Sequence, residues 1–107
     1  MKIIRWLGNS LETVKSYTSD TREKVGRELR RVQAGVQPTD WKPMASIGLG
    51  VQEIRIHGDG EYRVIYIAKF AEAVYVLHSF QKKTPTTAPR DIALATKRYR
   101  VLANERK

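Results

Sequence analysis

The sequence predicts an α+β fold: an N-terminal strand, a helical hairpin, a three-stranded antiparallel meander and a C-terminal helix. Three observations carry that expectation. Apolar residues recur at helical spacing in two separate stretches, one holding Val25, Leu29 and Val32, the other Ile92, Ala95, Tyr99 and Leu102. Between them, residues 51–80 read as three short strand-forming segments divided by turn formers. The helical stretches flank the strands instead of alternating with them, which favours an α+β sandwich over a doubly wound sheet. The 107 residues suit one domain, spanning 1–107, without linker, repeat or low-complexity tract.

Lys2 to Leu7 is apolar enough for a first strand, which Gly8 ends. Asn9 with Glu12 three residues on has the form of a capping box, opening a short helix with Leu11, Val14 and Tyr17 or Thr18 inward. Asp20 and Glu23 repeat the signature and open a second helix, buried through Val25, Leu29 and Val32 and terminated by Gly35. Its outer face carries Arg22, Lys24, Arg27, Arg30 and Arg31, with Glu23 and Glu28 between. Such a face is either simply solvated or touches phosphates or a partner. Pro38, Pro43, Gly48 and Gly50 make residues 36–50 turn-like, with Trp41 and Met44 tucked against the core.

Val51 to His57 and Glu61 to Ala68 form a hairpin about Gly58, Asp59 and Gly60. Lys69 to Glu72 reverses the chain into a third strand, Ala73 to Phe80, and after QKKTPTTAP a helix runs from Ala88 to Asn104. The strands carry apolar residues on both faces, so much of the sheet is covered. The helical hairpin is expected to cover one face and leave the other free for function.

Twenty Lys and Arg against eleven Asp and Glu give a net charge of +9. That excess points to a polyanionic partner such as nucleic acid, the alternative being charge that only keeps the chain soluble. The absence of cysteine excludes thiol nucleophiles, zinc–thiolate sites and disulfides. His57 and His78 fall short of a metal cluster, and no carboxylate group suits two-metal catalysis, so neither metal nor cofactor is expected. With no apolar run of about 18 residues and no cleavable signal pattern, the expected location is cytoplasmic, away from membranes.

With a three-residue loop, the hairpin register sets His57 opposite Glu61, Arg55 opposite Arg63 and Glu53 opposite Ile65. Opposed arginines repel. Either Glu53 neutralises one of them in a surface salt-bridge cluster, or the group is a functional ionisable platform. A two-residue loop would break the pairing. Lys82 and Lys83, just past the third strand, fall beside the start of the second, where Arg63 sits. Four cations, Arg55, Arg63, Lys82 and Lys83, are thus expected to converge as a phosphate clamp, and His57 and Lys42 join the candidate phosphate binders. Residues 82–107 hold eight basic and two acidic side chains, which concentrates charge beside that clamp. His78, read as sharing a strand face with Val76 and Phe80, suits a partly buried structural histidine.

Such a site suits metal-free RNA cleavage, in which the 2′-hydroxyl attacks the adjacent phosphorus. One group must accept the hydroxyl proton, another must protonate the departing 5′-oxygen, and the added charge on phosphate needs stabilising. Arginine holds phosphate oxygens. Ammonium groups crowded by cations release protons more readily, which makes Lys82 and Lys83 candidates for proton transfer. DNA lacks the attacking hydroxyl.

The segments VQEIRI, GEYRVIYI and VLHSFQKKTPTTAPRDIALATKR resemble the toxins of RelE/ParE-superfamily toxin–antitoxin modules, nearest the HigB-like, phage-derived branch. The resemblance extends from the first strand to the last helix. It implies a microbial-RNase-like α+β sandwich and mRNA cleavage on the ribosome. It also implies inhibition by a cognate antitoxin, commonly of helix-turn-helix type. Arg63 matches the strand arginine that holds the scissile phosphate in RelE-like nucleases, and Lys82 and Lys83 fall where those relatives place catalytic residues after the strand. Arg55 matches a strand position of the branch. Where several relatives have a tyrosine or a His-Tyr pair, this chain reads Gln81, Lys82, Lys83, which leaves the acid and base roles open. The sister ParE toxins poison gyrase without nuclease chemistry, and a non-catalytic nucleic-acid-binding module is a further alternative.

Overall fold

The computed structural model describes residues 1–107. The elements follow as β1 (Ile3–Trp6), α1 (Ser10–Lys15), α2 (Ser19–Gln33), β2 (Trp41–Pro43), β3 (Val51–His57), β4 (Glu61–Ile67), β5 (Ala73–Lys82) and α3 (Pro89–Glu105). The strands form one mixed sheet in the order β1-β5-β4-β3-β2, with β1 parallel to β5 and the other neighbours antiparallel. The α+β class, the helical hairpin, the meander and the C-terminal helix stand where the hydrophobic periodicity puts them.

Strand β2 is the element that the turn-rich reading of residues 36–50 did not anticipate. Trp41, Lys42 and Pro43 pair with Ile54, Glu53 and Gln52 along the margin of the sheet. A marginal strand tolerates a proline because only one of its edges bonds to a neighbour. The helix starts also differ from the expected caps. Asn9 makes no cap; its Oδ1 accepts from Arg98 Nη2 at 2.8 Å, tying α1 to α3. Thr18 caps α2 by accepting from the Thr21 amide, while Asp20 lies in the first turn and faces the positive end of the helix dipole.

Both faces of the sheet are covered, so the expectation of a free face is corrected. On one side Val14, Val25, Leu29 and Val32 of α1 and α2 pack on Ile54, Ile56, Val64, Tyr66, Val74 and Val76. On the other, Ala95 and Leu102 of α3 pack on Ile65, Ile67, Tyr75 and Leu77, joined by Met44 and Ile47 from the loop after β2. The cause is the alternation itself: β4 and β5 present apolar side chains in both directions. Each fully buried Leu or Ile contributes about 1.5–3 kcal/mol, and neither layer can be left wet.

A bulge interrupts β5. Ile65 pairs with His78 and Tyr66 with Val76, which leaves Leu77 as an extra residue opposite that step. Leu77 and His78 consequently face α3 together, whereas Val76 faces α2. His78 therefore shares a face with Phe80, not with Val76 as regular alternation would have it. Its ring is buried: Nε2 lies 2.8 Å from Asp91 Oδ1, and Nδ1 lies 3.3 Å from Arg98 Nη1. Arg98 also donates to the Leu77 carbonyl at 2.9 Å, so α3 is fastened to the bulge.

The β3–β4 hairpin docks on the start of α2. Asp59 Oδ1 accepts from Thr21 Oγ1 at 3.1 Å and from the Tyr62 hydroxyl at 2.7 Å. A Cβ at Gly58 would meet Thr21 Oγ1 at 2.4 Å, so the close approach of hairpin and helix needs glycine there.

Candidate active site

The hairpin register is the three-residue-loop one: Arg55 opposes Arg63, His57 opposes Glu61 and Glu53 opposes Ile65. The two opposed guanidiniums do not stack. Arg55 turns outward to Asp40, with Nη1 and Oδ1 3.4 Å apart. Arg63 is buried, with 6% of its surface exposed; Nη1 donates to Glu61 Oε1 at 3.2 Å and to the Tyr62 carbonyl at 2.9 Å. Arg63 Nε lies 3.7 Å from Glu53 Oε1, beyond hydrogen-bond range. Glu53 is 1% exposed, and its Oε2 and Arg63 Nε have no hydrogen-bond partner. The repulsion between the arginines is thus relieved by separate carboxylates.

Because β5 resumes alternation after the bulge, Phe80 lies opposite Arg63 and Lys82 opposite Glu61. Lys82, Lys83, Arg63 and Glu61, with Thr84 and Pro85, line a pocket of about 360 Å³. Lys82, Lys83 and Thr84 also line an adjoining hollow of about 290 Å³ that reaches Arg90 at the start of α3. Neither lysine is in a salt bridge or donates a side-chain hydrogen bond within the molecule. Both ammonium groups are therefore available to an incoming anion, whereas Arg63 already holds two carboxylates.

The structure thus brings together three of the four expected cations and diverts the fourth. Arg55 and His57 line a different cleft, of about 260 Å³, together with Lys24, Arg27, Glu28, Thr39 and Asp40. Lys42 sits on β2 opposite Glu53 and lines neither the Arg63 pocket nor this cleft. Arg63 is also less open than an anion pocket on a free sheet face would be, since α3 covers that face and Glu61 stands beside the guanidinium.

Two carboxylates outside the expected set of phosphate binders organise this surface. Asp40 Oδ2 lies 2.8 Å from His57 Nε2, and Glu61 Oε2 lies 2.8 Å from His57 Nδ1. His57 is therefore held between two carboxylates, and the ionic chain runs Arg55, Asp40, His57, Glu61, Arg63, Glu53. The Glu61 bond first and the Asp40 bond second raise the His57 pKa above its ordinary value, and the same bonds to His57 hold both carboxyls below theirs. Glu61 was visible as the register partner of His57. Asp40 had no such signal, because its place depends on β2: its carbonyl accepts from the Arg55 amide at 2.8 Å just beyond that strand.

His78 is insulated from this chain. Burial lowers its pKa, against the opposing pull of Asp91, so its neutral form is the favoured one. Tyr99 packs, partly buried, against the α3-side core, as its helical position suggested. No three His, Asp or Glu side chains converge in an arrangement fit to ligate a metal.

A search of curated proteins returns no match to the chain. The model of one protein family, described as phage derived protein Gp49-like (DUF891), matches residues 12–100. That span runs from α1 well into α3 and includes every residue of the Arg63 pocket. The chain belongs to the phage-derived Gp49-like protein family.

Proposed function

We propose that this protein is the toxin of a type II toxin–antitoxin module and cleaves mRNA on the ribosome. The Gp49-like family is toxin-like, of the RelE/HigB type, which supports the toxin assignment and an antitoxin partner, in this branch commonly a helix-turn-helix protein. The observation that carries the nuclease reading is the convergence of Arg63, Lys82 and Lys83 on one pocket. Arg63 and one lysine hold the non-bridging oxygens of the scissile phosphate, where negative charge grows as the 2′-oxygen attacks. Lys82 and Lys83 divide the proton transfers: one, as the neutral amine, accepts the 2′-hydroxyl proton, and the other, the ammonium that also faces the phosphate, protonates the 5′-oxygen as the P–O5′ bond breaks. The products are a 2′,3′-cyclic phosphate and a 5′-hydroxyl, and no cofactor is required.

The test is primer extension on cellular mRNA after induction of wild type, Arg63→Gln and the Lys82→Ala/Lys83→Ala double variant. Arg63 is buried beside Glu53, so its variant is accompanied by a far-UV circular dichroism spectrum. The lysines make no bonds within the fold, so their removal leaves it intact. Cleavage by wild type that both variants lose supports the reading. Growth arrest with intact mRNA and a DNA-damage response indicates a gyrase-poisoning toxin instead, and no growth defect a non-catalytic binder.

A further inference from the structure

The cleft between α2 and β3 is used by nothing described above, yet it is the second place where cations gather. Lys24 and Arg27 enter it from α2, and Arg55 and His57 from β3. Its acidic residues are already committed. Glu28 Oε1 accepts from the Thr39 amide at 2.6 Å, and Oε2 from the Thr39 hydroxyl at 3.0 Å. Asp40 is divided between Arg55 and His57. Arg27 is exposed and has no hydrogen bond or salt bridge within the molecule. Lys24 is positioned by donating to the His57 carbonyl at 2.8 Å, with the exposed Asp20 at 3.4 Å.

We infer that this cleft is a second phosphate subsite, occupied by the same RNA strand that enters the Arg63 pocket and passes over His57. The inference rests on the nuclease reading for the identity of the strand. Three features argue for the backbone of a nucleic acid as the ligand. The cleft neighbours the first pocket across one ion pair, since His57 lines the cleft, Glu61 lines the pocket, and the two are 2.8 Å apart. Its lining has a single apolar residue, Ile56, and no aromatic ring besides the imidazole. It therefore offers little for stacking a base or seating an apolar peptide, and much for gripping a phosphodiester. Two guanidiniums on different elements also present their forked donors from two directions, the geometry that suits phosphate oxygens.

The test is an NMR titration with uncleavable 2′-O-methyl RNA, comparing a dinucleotide with a strand of about eight nucleotides, long enough to occupy both subsites. Both ligands should shift the amides of Glu61, Arg63, Lys82 and Lys83, and only the longer one those of Lys24, Arg27 and Arg55. Arg27→Gln should weaken the longer strand about tenfold and lower its salt slope by about 0.7–1, leaving the dinucleotide unaffected. Arg30→Gln removes the same charge from the same helix outside the cleft and should leave both ligands unaffected.

Equal losses in the Arg27 and Arg30 variants would reduce the effect to net charge and overturn the subsite. So would a longer strand that shifts the Arg63 pocket alone, or a cleft that responds only to an acidic peptide or to an intact ribosomal subunit. Failure of either RNA to shift the Arg63 pocket would instead count against the nuclease reading itself.

Discussion

The carboxylate of Glu61 lies 3.2 Å from the guanidinium of Arg63, inside the pocket that a phosphate would have to enter. Glu61 is therefore the anion that a substrate must displace. The displacement is affordable: Glu61 is about half-exposed, and pairs of that kind are worth about 0–1 kcal/mol. The released carboxylate retains His57 as a partner. Replacing Glu61 by Gln should tighten binding of a 2′-O-methyl dinucleotide by up to about fivefold, the same free energy read as affinity. Unchanged or weaker binding in a titration would show that Glu61 supports Arg63 instead of competing for it.

His57 makes this surface respond to pH. Its pKa is raised by Glu61 and Asp40, so the stabilisation from the charged ring is fully present below the unfolded value, about 6.5. It is lost as pH rises through the elevated folded value. Thermal unfolding of wild type and His57→Gln should differ most at or below about pH 6.5 and converge on the alkaline side. A gap that widened with rising pH would be inconsistent with a protonated ring between two carboxylates.

His78 should behave in the opposite sense. Its pKa is lowered chiefly by burial, so the folded state favours the neutral ring and loses stability as pH falls from about 6.5 toward the depressed value. His78→Ala removes the partner of the buried Asp91 and should cost about 1–3 kcal/mol. For a domain of this size that corresponds to about 4–8 °C in melting temperature per kcal/mol. A calorimetric scan with an unchanged midpoint would mean that α3 is held by its apolar side alone.

Glu28 fixes the segment that delivers Asp40. Both of its oxygens are taken by Thr39, and the residue is 7% exposed. Glu28→Ala should cost about 1–3 kcal/mol, seen as a lower denaturant midpoint. Amide exchange should accelerate at Trp41, Lys42 and Arg55, while α3 stays protected. Uniform acceleration throughout the sheet would argue against a local anchor.

Most of the architecture was readable because its signals are local. The spacing of Val25, Leu29 and Val32, and the Gly58, Asp59, Gly60 turn, each specify an element without reference to the rest of the chain. The register that opposes Arg55 to Arg63 followed from loop length alone. What escaped was non-local. Trp41–Pro43 is a strand only because β3 offers it an edge, and the cover provided by α3 depends on where a distant helix packs. The site divided along the same line: Arg63 and Lys82 could be paired from topology, whereas the diversion of Arg55 required Asp40, which no spacing rule connects to it.

Leu77 has a consequence beyond the packing of one side chain. From Glu61 to Ile65, β4 alternates sides without interruption, so the parity of β5 decides whether its far end meets Arg63 or turns its back on it. If the same residues ran through Leu77 as a regular strand, with Ile65 opposite Leu77, Lys82 would turn to the flank occupied by α2, with every chemical group still encoded. The pocket is therefore written into the chain partly as a count: an odd step in one strand that no inventory of charged residues would reveal.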